Sequence, residues 1–270
     1  MGKGDLFSRI EVCCPVCQGR LLEAGSEDSV VCSSCRAAYP RERRLIDLIP
    51  GRRTAGSFPQ LAMESSPIIS VYEGYLWRKN PLFAFFMGIT FEREFEITCR
   101  ALSLHDNDTV LDLACGTGIY GRRITAHLPE GMVVGIDLSL PMLSYAAARF
   151  DEGDLSNYLL IHGDASRIPL ADESIDAAMC GASLHLFPDP EAAVMEISRV
   201  LKDGGRFAVS VFSPGQGRLF EWIASMVRTV EGIRGISSRD LEGMFSRAGF
   251  GDIVCHHAEA LWLIMSAVKK

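Results

Sequence analysis

The 270-residue chain lacks any apolar run of the ~20 residues that a membrane-spanning helix requires. Its opening stretch, "MGKGDLFSRIE", has no apolar core of the secretory-signal kind. Leu6 stands where a myristoylation signal wants Ser or Thr. These absences point to a cytoplasmic protein without a membrane span. There is no excess of positive charge either: the net charge is −7, which gives no global attraction to nucleic acid. Internal repeats and low-complexity tracts are missing, which excludes a solenoid or a disordered array. The composition, 48% hydrophobic and 23% charged, is that of an ordinary globular protein. Its length suits one sizeable domain with a small module attached.

Cysteine, by contrast, is plentiful and unevenly placed. Cys13, Cys14, Cys17, Cys32 and Cys35 crowd the front of the chain, while Cys99, Cys115, Cys180 and Cys255 are scattered. In a reducing compartment these are thiols or metal ligands rather than disulfides. Cys14-Pro15-Val16-Cys17 and Cys32-Ser33-Ser34-Cys35 are two CxxC knuckles separated by 14 residues. Each puts two sulfurs on one tight turn, and two such turns close a tetrahedral thiolate site around a structural zinc ion. A segment of this size needs such a staple, because it buries too little apolar surface to hold itself together. All four coordination positions are filled by protein, so the site folds a module and does no chemistry. Cys13 has the wrong spacing and is the spare.

The expected organisation has three parts. Residues 1–55 form the zinc ribbon. Residues 56–104 are a linker and a helical lid, with "PGRRTAGSFPQ" as the linker itself. From residue 105 to 270, short β-rich runs alternate with helical runs, which means an α/β sheet. Strands are expected at 109–114, 132–138, 158–164, 175–181, 205–212, 251–258 and 260–268. The last two, joined by almost nothing, pair as an antiparallel hairpin. Arg36, Arg41, Arg43, Arg44, Arg52 and Arg53 crowd the end of the ribbon. They are either a solvated face or a local RNA patch.

Gly116-Thr117-Gly118-Ile119-Tyr120-Gly121 fits the glycine pattern that lets backbone approach a nucleotide cofactor and turn into a helix. Asp137 follows 21 residues after Gly116, as in a dinucleotide fingerprint. Asp112 argues against NAD, because a carboxylate beside the loop repels a pyrophosphate. It suits S-adenosylmethionine (SAM), whose methionine end carries an amino group and a sulfonium. Asp137 and Asp164 end the next two strands, where ribose hydroxyls and an adenine amino group would donate to them.

The landmarks "VLDLACGTG", "VVGIDLSLPML", "IHGDASRIPLADESIDAAMC" and "AVMEISRVLKDGGRFAVSVF" resemble the class I SAM-dependent methyltransferases, the type 11 group that includes the ubiquinone/menaquinone methyltransferases. The front of the chain resembles the zinc ribbons of Trm-type methyltransferase partner proteins and of bacterial rRNA guanine methyltransferases. The whole chain resembles a narrower set of plant-plastid and bacterial methyltransferases. These resemblances imply a Rossmann-like seven-stranded sheet in the order 3-2-1-4-5-7-6. They imply that Asp112, Gly116 and Gly118, with Cys115 in the same loop, hold the methionine end. Asp137 would bind ribose, with Leu138 and Met142 beside the adenine, and Asp164 and Ala165 would contact the base. Cys180 and Gly181 would line the pocket near the sulfonium.

For the methyl acceptor the residues speak less. His185, after the fourth strand, is the candidate general base; its alternative is packing between Leu184 and Leu186. Tyr72, Tyr75 and Tyr120 are candidates to close over the cofactor. Residues 80–91 and 217–233 are candidate covers for a small, apolar acceptor. Three functions compete: a methyltransferase of a small, hydrophobic metabolite; an RNA methyltransferase that grips substrate with its ribbon; and a non-catalytic SAM-binding partner protein.

Overall fold

A computed structural model describes residues 9–24, 28–51, 81–214 and 235–270. The expected cover at 217–233, Tyr72, Tyr75 and most of the linker lie outside the described residues. Four short strands come first: β1 (Leu21–Glu23), β2 (Ser29–Cys32), β3 (Ala38–Glu42) and β4 (Leu45–Asp47). Helices α1 (Pro81–Met87) and α2 (Phe91–Leu102) follow. The alternating part comprises β5 (Thr109–Leu113), α3 (Ile119–Thr125), β6 (Met132–Asp137), α4 (Leu140–Glu152), β7 (Tyr158–His162) and β8 (Ile175–Gly181). It continues through a 3₁₀ turn at Leu184–Leu186, α5 (Pro190–Val200), β9 (Leu201–Phe212), α6 (Ser238–Arg247), β10 (Phe250–Glu259) and β11 (Trp262–Lys269). Among the described residues, no helix is long and apolar enough to cross a membrane.

Local chemistry explains the helix starts. Thr90, Ser139, Asp189 and Ser237 each cap a helix by accepting a backbone N–H from its first turn. Pro stands in the first turn of α4 and α5, where its missing N–H costs nothing. Strands β5 to β9 are near-continuous apolar runs because helices or loops cover both of their faces.

The sheet runs β1-β2-β3-β4-β7-β6-β5-β8-β9-β11-β10. From β7 to β10 this is the expected seven-stranded order, with β10 and β11 antiparallel. The ribbon, however, does not end before the sheet begins. β4 pairs parallel with β7, Leu45 opposite Leu160 and Asp47 opposite His162, which makes one sheet of eleven strands. Ribbon side chains Ile10, Val12, Leu21 and Ile46 share a core with Val134, Leu159 and Ile161 of the central strands.

The connection from β7 to β8 contains no helix, although a parallel crossover usually carries one to cover the sheet. The ribbon occupies that place. Val12 bridges Leu170, the Cys13 N–H donates to the Pro169 carbonyl, and the Ala171 N–H donates to the Glu11 carbonyl. On the opposite face α2, α3 and α4 pack through Phe95, Ile124, Leu143 and Phe150. α2, expected within the lid, is a sheet-packing helix: Phe91, Phe95, Ala101 and Leu102 are buried against Ala177, Met179 and Ala208.

Candidate functional site

The crevice lies where strand order reverses, between β5 and β8, at the carboxyl edge of the sheet. Asp112 is buried near the end of β5, and its Oδ2 accepts the Gly121 N–H at 3.1 Å. Asp137 ends β6 and braces the glycine loop: Oδ2 accepts the Gly116 N–H at 2.8 Å and Oδ1 accepts the Ser139 N–H at 2.8 Å. Burial raises the Asp137 carboxyl above its ordinary pKa, against the pull of those two amides and of His162. Asp164 lies just past β7, and its Oδ1 accepts both the N–H and the hydroxyl of Ser166, an Asx turn. The three acids of the sequence reading therefore do converge on one edge.

The loop between β5 and α3 is built for close approach. Ala114 adopts φ +55°, a left-handed conformation that a β-carbon disfavours and that clusters at functional sites. At Gly116, φ +53°, an added Cβ would meet only the Met142 sulfur at 3.4 Å. Gly116 therefore lies close beside Met142, the expected neighbour of an adenine. The Thr117 hydroxyl is buried in this loop with no hydrogen-bond partner. An orphaned buried hydroxyl in a glycine loop fits a polar cofactor held there.

Two expected cofactor residues, Cys115 and Cys180, have buried side chains. The Cys115 side chain packs in the core with Leu143, Phe150 and Leu160. Cys180 is fully buried in the main core. Along β8 side chains alternate faces: Met179 packs toward α2 and α3 and Gly181 lies against Tyr120, which sends Cys180 to the other side. Burial pushes both thiols well above their ordinary pKa, as inert core cysteines require.

His185, the expected general base, has one ring nitrogen engaged by the backbone. Its Nδ1 accepts the Phe212 N–H at 3.2 Å, which leaves the proton on Nε2. Burial depresses its pKa to about 4. A neutral ring with its lone pair engaged is a hydrogen-bond donor, not a proton acceptor. Tyr120, a candidate cover, is instead buried against Phe91, Phe95 and Gly181.

Several functional contacts had no counterpart among the expected site residues. Arg199 on α5 donates to the carbonyls of Ile168 and Leu170, and Glu196 accepts the Ile168 N–H, so one helix pins the loop that follows Asp164. His162, buried in β7, faces Asp47 Oδ1 with Nδ1 at 2.6 Å and the Leu138 carbonyl with Nε2 at 3.1 Å. It joins the ribbon to the residue after Asp137.

In the ribbon, the sulfurs of Cys14, Cys17, Cys32 and Cys35 all lie within 4.8 Å of one another. Cys14 and Cys35 are 3.7 Å apart, Cys17 and Cys32 3.4 Å. A tetrahedron with zinc–sulfur bonds of about 2.3 Å has edges of about 3.8 Å, so the four thiols can hold such an ion. The Cys35 and Ser34 amides pull the Cys32 thiol down to about 6 despite its burial, favouring the thiolate form that binds metal. Tyr39 hydrogen-bonds Cys14 at 3.1 Å. Cys13 is buried outside the cluster, and burial raises its pKa.

Parallel strands with flanking helices, a terminal antiparallel hairpin and a loop site at the switch point define a Rossmann-like class I methyltransferase fold. Residues 110–205 match the family model described as a methyltransferase domain. The chain is 30% identical, over 217 residues and 74% of its length, to an uncharacterized chloroplastic methyltransferase of Arabidopsis thaliana. It is 34% identical over 132 residues, 48% of its length, to a demethylmenaquinone methyltransferase of Listeria welshimeri. It spans 61% and 55% of the length of those two proteins. A solved SAM-dependent methyltransferase from Aquifex aeolicus superposes with a TM-score of 0.55 at 18% identity, covering 76% of this chain and 98% of that one.

Proposed function

We propose that the protein is a SAM-dependent methyltransferase acting on a small, apolar acceptor, with a zinc ion held structurally by Cys14, Cys17, Cys32 and Cys35. One observation carries the reading: Asp112, Asp137 and Asp164 stand at or just past the ends of the adjacent strands β5, β6 and β7, and Asp112 and Asp137 bind backbone amides of the glycine loop and its helix, beside Met142. Asp112, Gly116 and Gly118 would hold the methionine end, Asp137 the ribose, and Leu138, Met142, Asp164 and Ala165 the adenine. Bound SAM supplies an electrophilic methyl group on a sulfonium. The chain's part is to align the acceptor and exclude water. His185, neutral and carrying its proton on Nε2, can orient an acceptor oxygen and does not take its proton.

The ribbon's arginines support a small molecule over RNA. Arg41 pairs with Glu23, Arg43 with Asp151 of α4, and Arg44 lies over the Tyr158 ring. These three of the six ribbon arginines are engaged within the chain, which weakens the case for a phosphate-binding patch. Reduced thiols at the metal site suit a cytoplasmic compartment.

The test is calorimetry with S-adenosylhomocysteine and with NAD, then SAM consumption with metabolite extract and with RNA. Micromolar S-adenosylhomocysteine binding and turnover on metabolites are expected. NAD binding alone would sink the cofactor reading, turnover on RNA alone would sink the acceptor, and binding without any turnover would favour a non-catalytic partner.

A further inference from the structure

Glu94 lies in the first turn of α2 and is 5% exposed. A carboxylate taken so far out of water must be hydrogen-bonded to be tolerated. Its Oε1 accepts the Tyr120 hydroxyl at 2.5 Å and the Ser210 hydroxyl at 2.6 Å. Those donors come from α3, the helix that leaves the glycine loop, and from β9. Ser210 in turn receives the Ala182 N–H, on its hydroxyl at 3.0 Å and on its carbonyl at 3.0 Å.

Each partner holds one wall of the crevice. The Tyr120 ring lies flush on Gly181 at the end of β8, where an added Cβ would come within 2.6 Å of the ring; only glycine permits that approach. Ala182 has φ +59° and starts the turn that carries His185. A left-handed alanine persists only where its surroundings impose it. Ser210 has one hydroxyl proton. Because Glu94 takes it, the oxygen is left to receive Ala182. Without Glu94 the hydroxyl is free to rotate.

We propose that Glu94 is a positioning residue. Through Tyr120 and Ser210 it fixes the glycine-loop helix and the β8 exit turn relative to each other, and so shapes the methyl end of the cofactor crevice. The proposal rests on the reading of the glycine loop as a SAM site.

The test uses the full chain with E94A, E94Q and S210A. Three quantities are read: S-adenosylhomocysteine affinity by calorimetry, Tm, and backbone amide exchange at residues 181–186. E94A should weaken affinity about tenfold and speed exchange at 182–186 about tenfold. E94Q, which keeps an acceptor oxygen, should recover most of both. S210A leaves Glu94 its bond from Tyr120, so it should lower Tm less than E94A does, and it should speed exchange at Ala182. A role confined to stability would lower Tm while leaving affinity and the 182–186 exchange unchanged; that result, or unchanged exchange in S210A, overturns the proposal. Wild-type protein that binds no S-adenosylhomocysteine would overturn the cofactor reading instead. The exchange measurement, which needs no ligand, would still decide the network.

Discussion

Replacing Asp47 with alanine cuts the side-chain tie from the ribbon to the cofactor edge. Asp47 Oδ1 meets His162 Nδ1 at 2.6 Å, with the two side chains 16% and 4% exposed. At that burial solvent screens the contact little, and removing one partner of a buried charge-assisted pair costs about 3 kcal/mol. For a domain of this size each kcal/mol moves Tm by roughly 2–4 °C. D47A should therefore melt about 6–12 °C below wild type, and D47N, which keeps an acceptor oxygen, about half as far. Because ribbon and sheet share one core, a single calorimetric transition is expected in every variant. His162 also faces the Leu138 carbonyl, one residue after Asp137, so the slackened ring should weaken S-adenosylhomocysteine binding by about three- to tenfold. A Tm within about 2 °C of wild type, or a separate low-temperature transition for the ribbon, would refute the view of the ribbon as part of the sheet.

C14S should release zinc, read by a chromogenic chelator, and lower Tm, whereas C13S should keep the metal; equal loss from both would show that the ligand set is wrong. D137N should weaken S-adenosylhomocysteine binding by about 1.5–3 kcal/mol, roughly 10- to 100-fold, because the carboxylate braces Gly116 and is the proposed ribose ligand; calorimetry at pH 7 checks it, and full affinity would remove Asp137 from the site. His185 provides a pH signature. Its native pKa of about 4 lies below the ordinary 6.5, so the unfolded chain takes up the proton first. Stability is then level above pH 6.5 and falls as pH drops from 6.5 to 4, by up to about 3 kcal/mol. The difference between wild-type and H185N denaturation curves should show that slope, and parallel curves would contradict the half-buried neutral ring.

Most of the sheet was legible because its strands and helices are long enough to show their periods. The expected runs at 109–114, 132–138, 158–164 and 175–181 lie within one or two residues of β5 to β8, and the terminal hairpin follows from its missing loop. β4 was illegible. Three residues carry no period, and their pairing with β7 is decided by tertiary packing. The burial of Cys180 was recoverable: with Gly181 set against Tyr120, the two-residue period of a strand sends Cys180 to the other face. Glu94 was not recoverable. An acid in the first turn of an amphipathic helix reads as solvated and favourable to the helix dipole, and nothing local places Tyr120 and Ser210 above it.

The ribbon's position follows from what the sheet lacks. Leu159 and Ile161 of β7 and Val134 of β6 are fully or almost fully buried, yet the β7–β8 connection supplies no helix to bury them. Ile10, Val12 and Leu21 do so. They are held in place by a module whose strands β1 and β4 have three residues each, too short to be stable alone. A four-thiolate clamp supplies the missing rigidity at little cost in chain length. The same loop, 163–174, carries Asp164 and Ala165 at its start and rests on Glu11 and Cys13 at its far end. Loosening the clamp therefore acts twice, by uncovering the sheet face and by freeing the loop that carries the proposed adenine contacts. Metal loss should for that reason weaken cofactor binding before the central strands β5, β8 and β9 unfold.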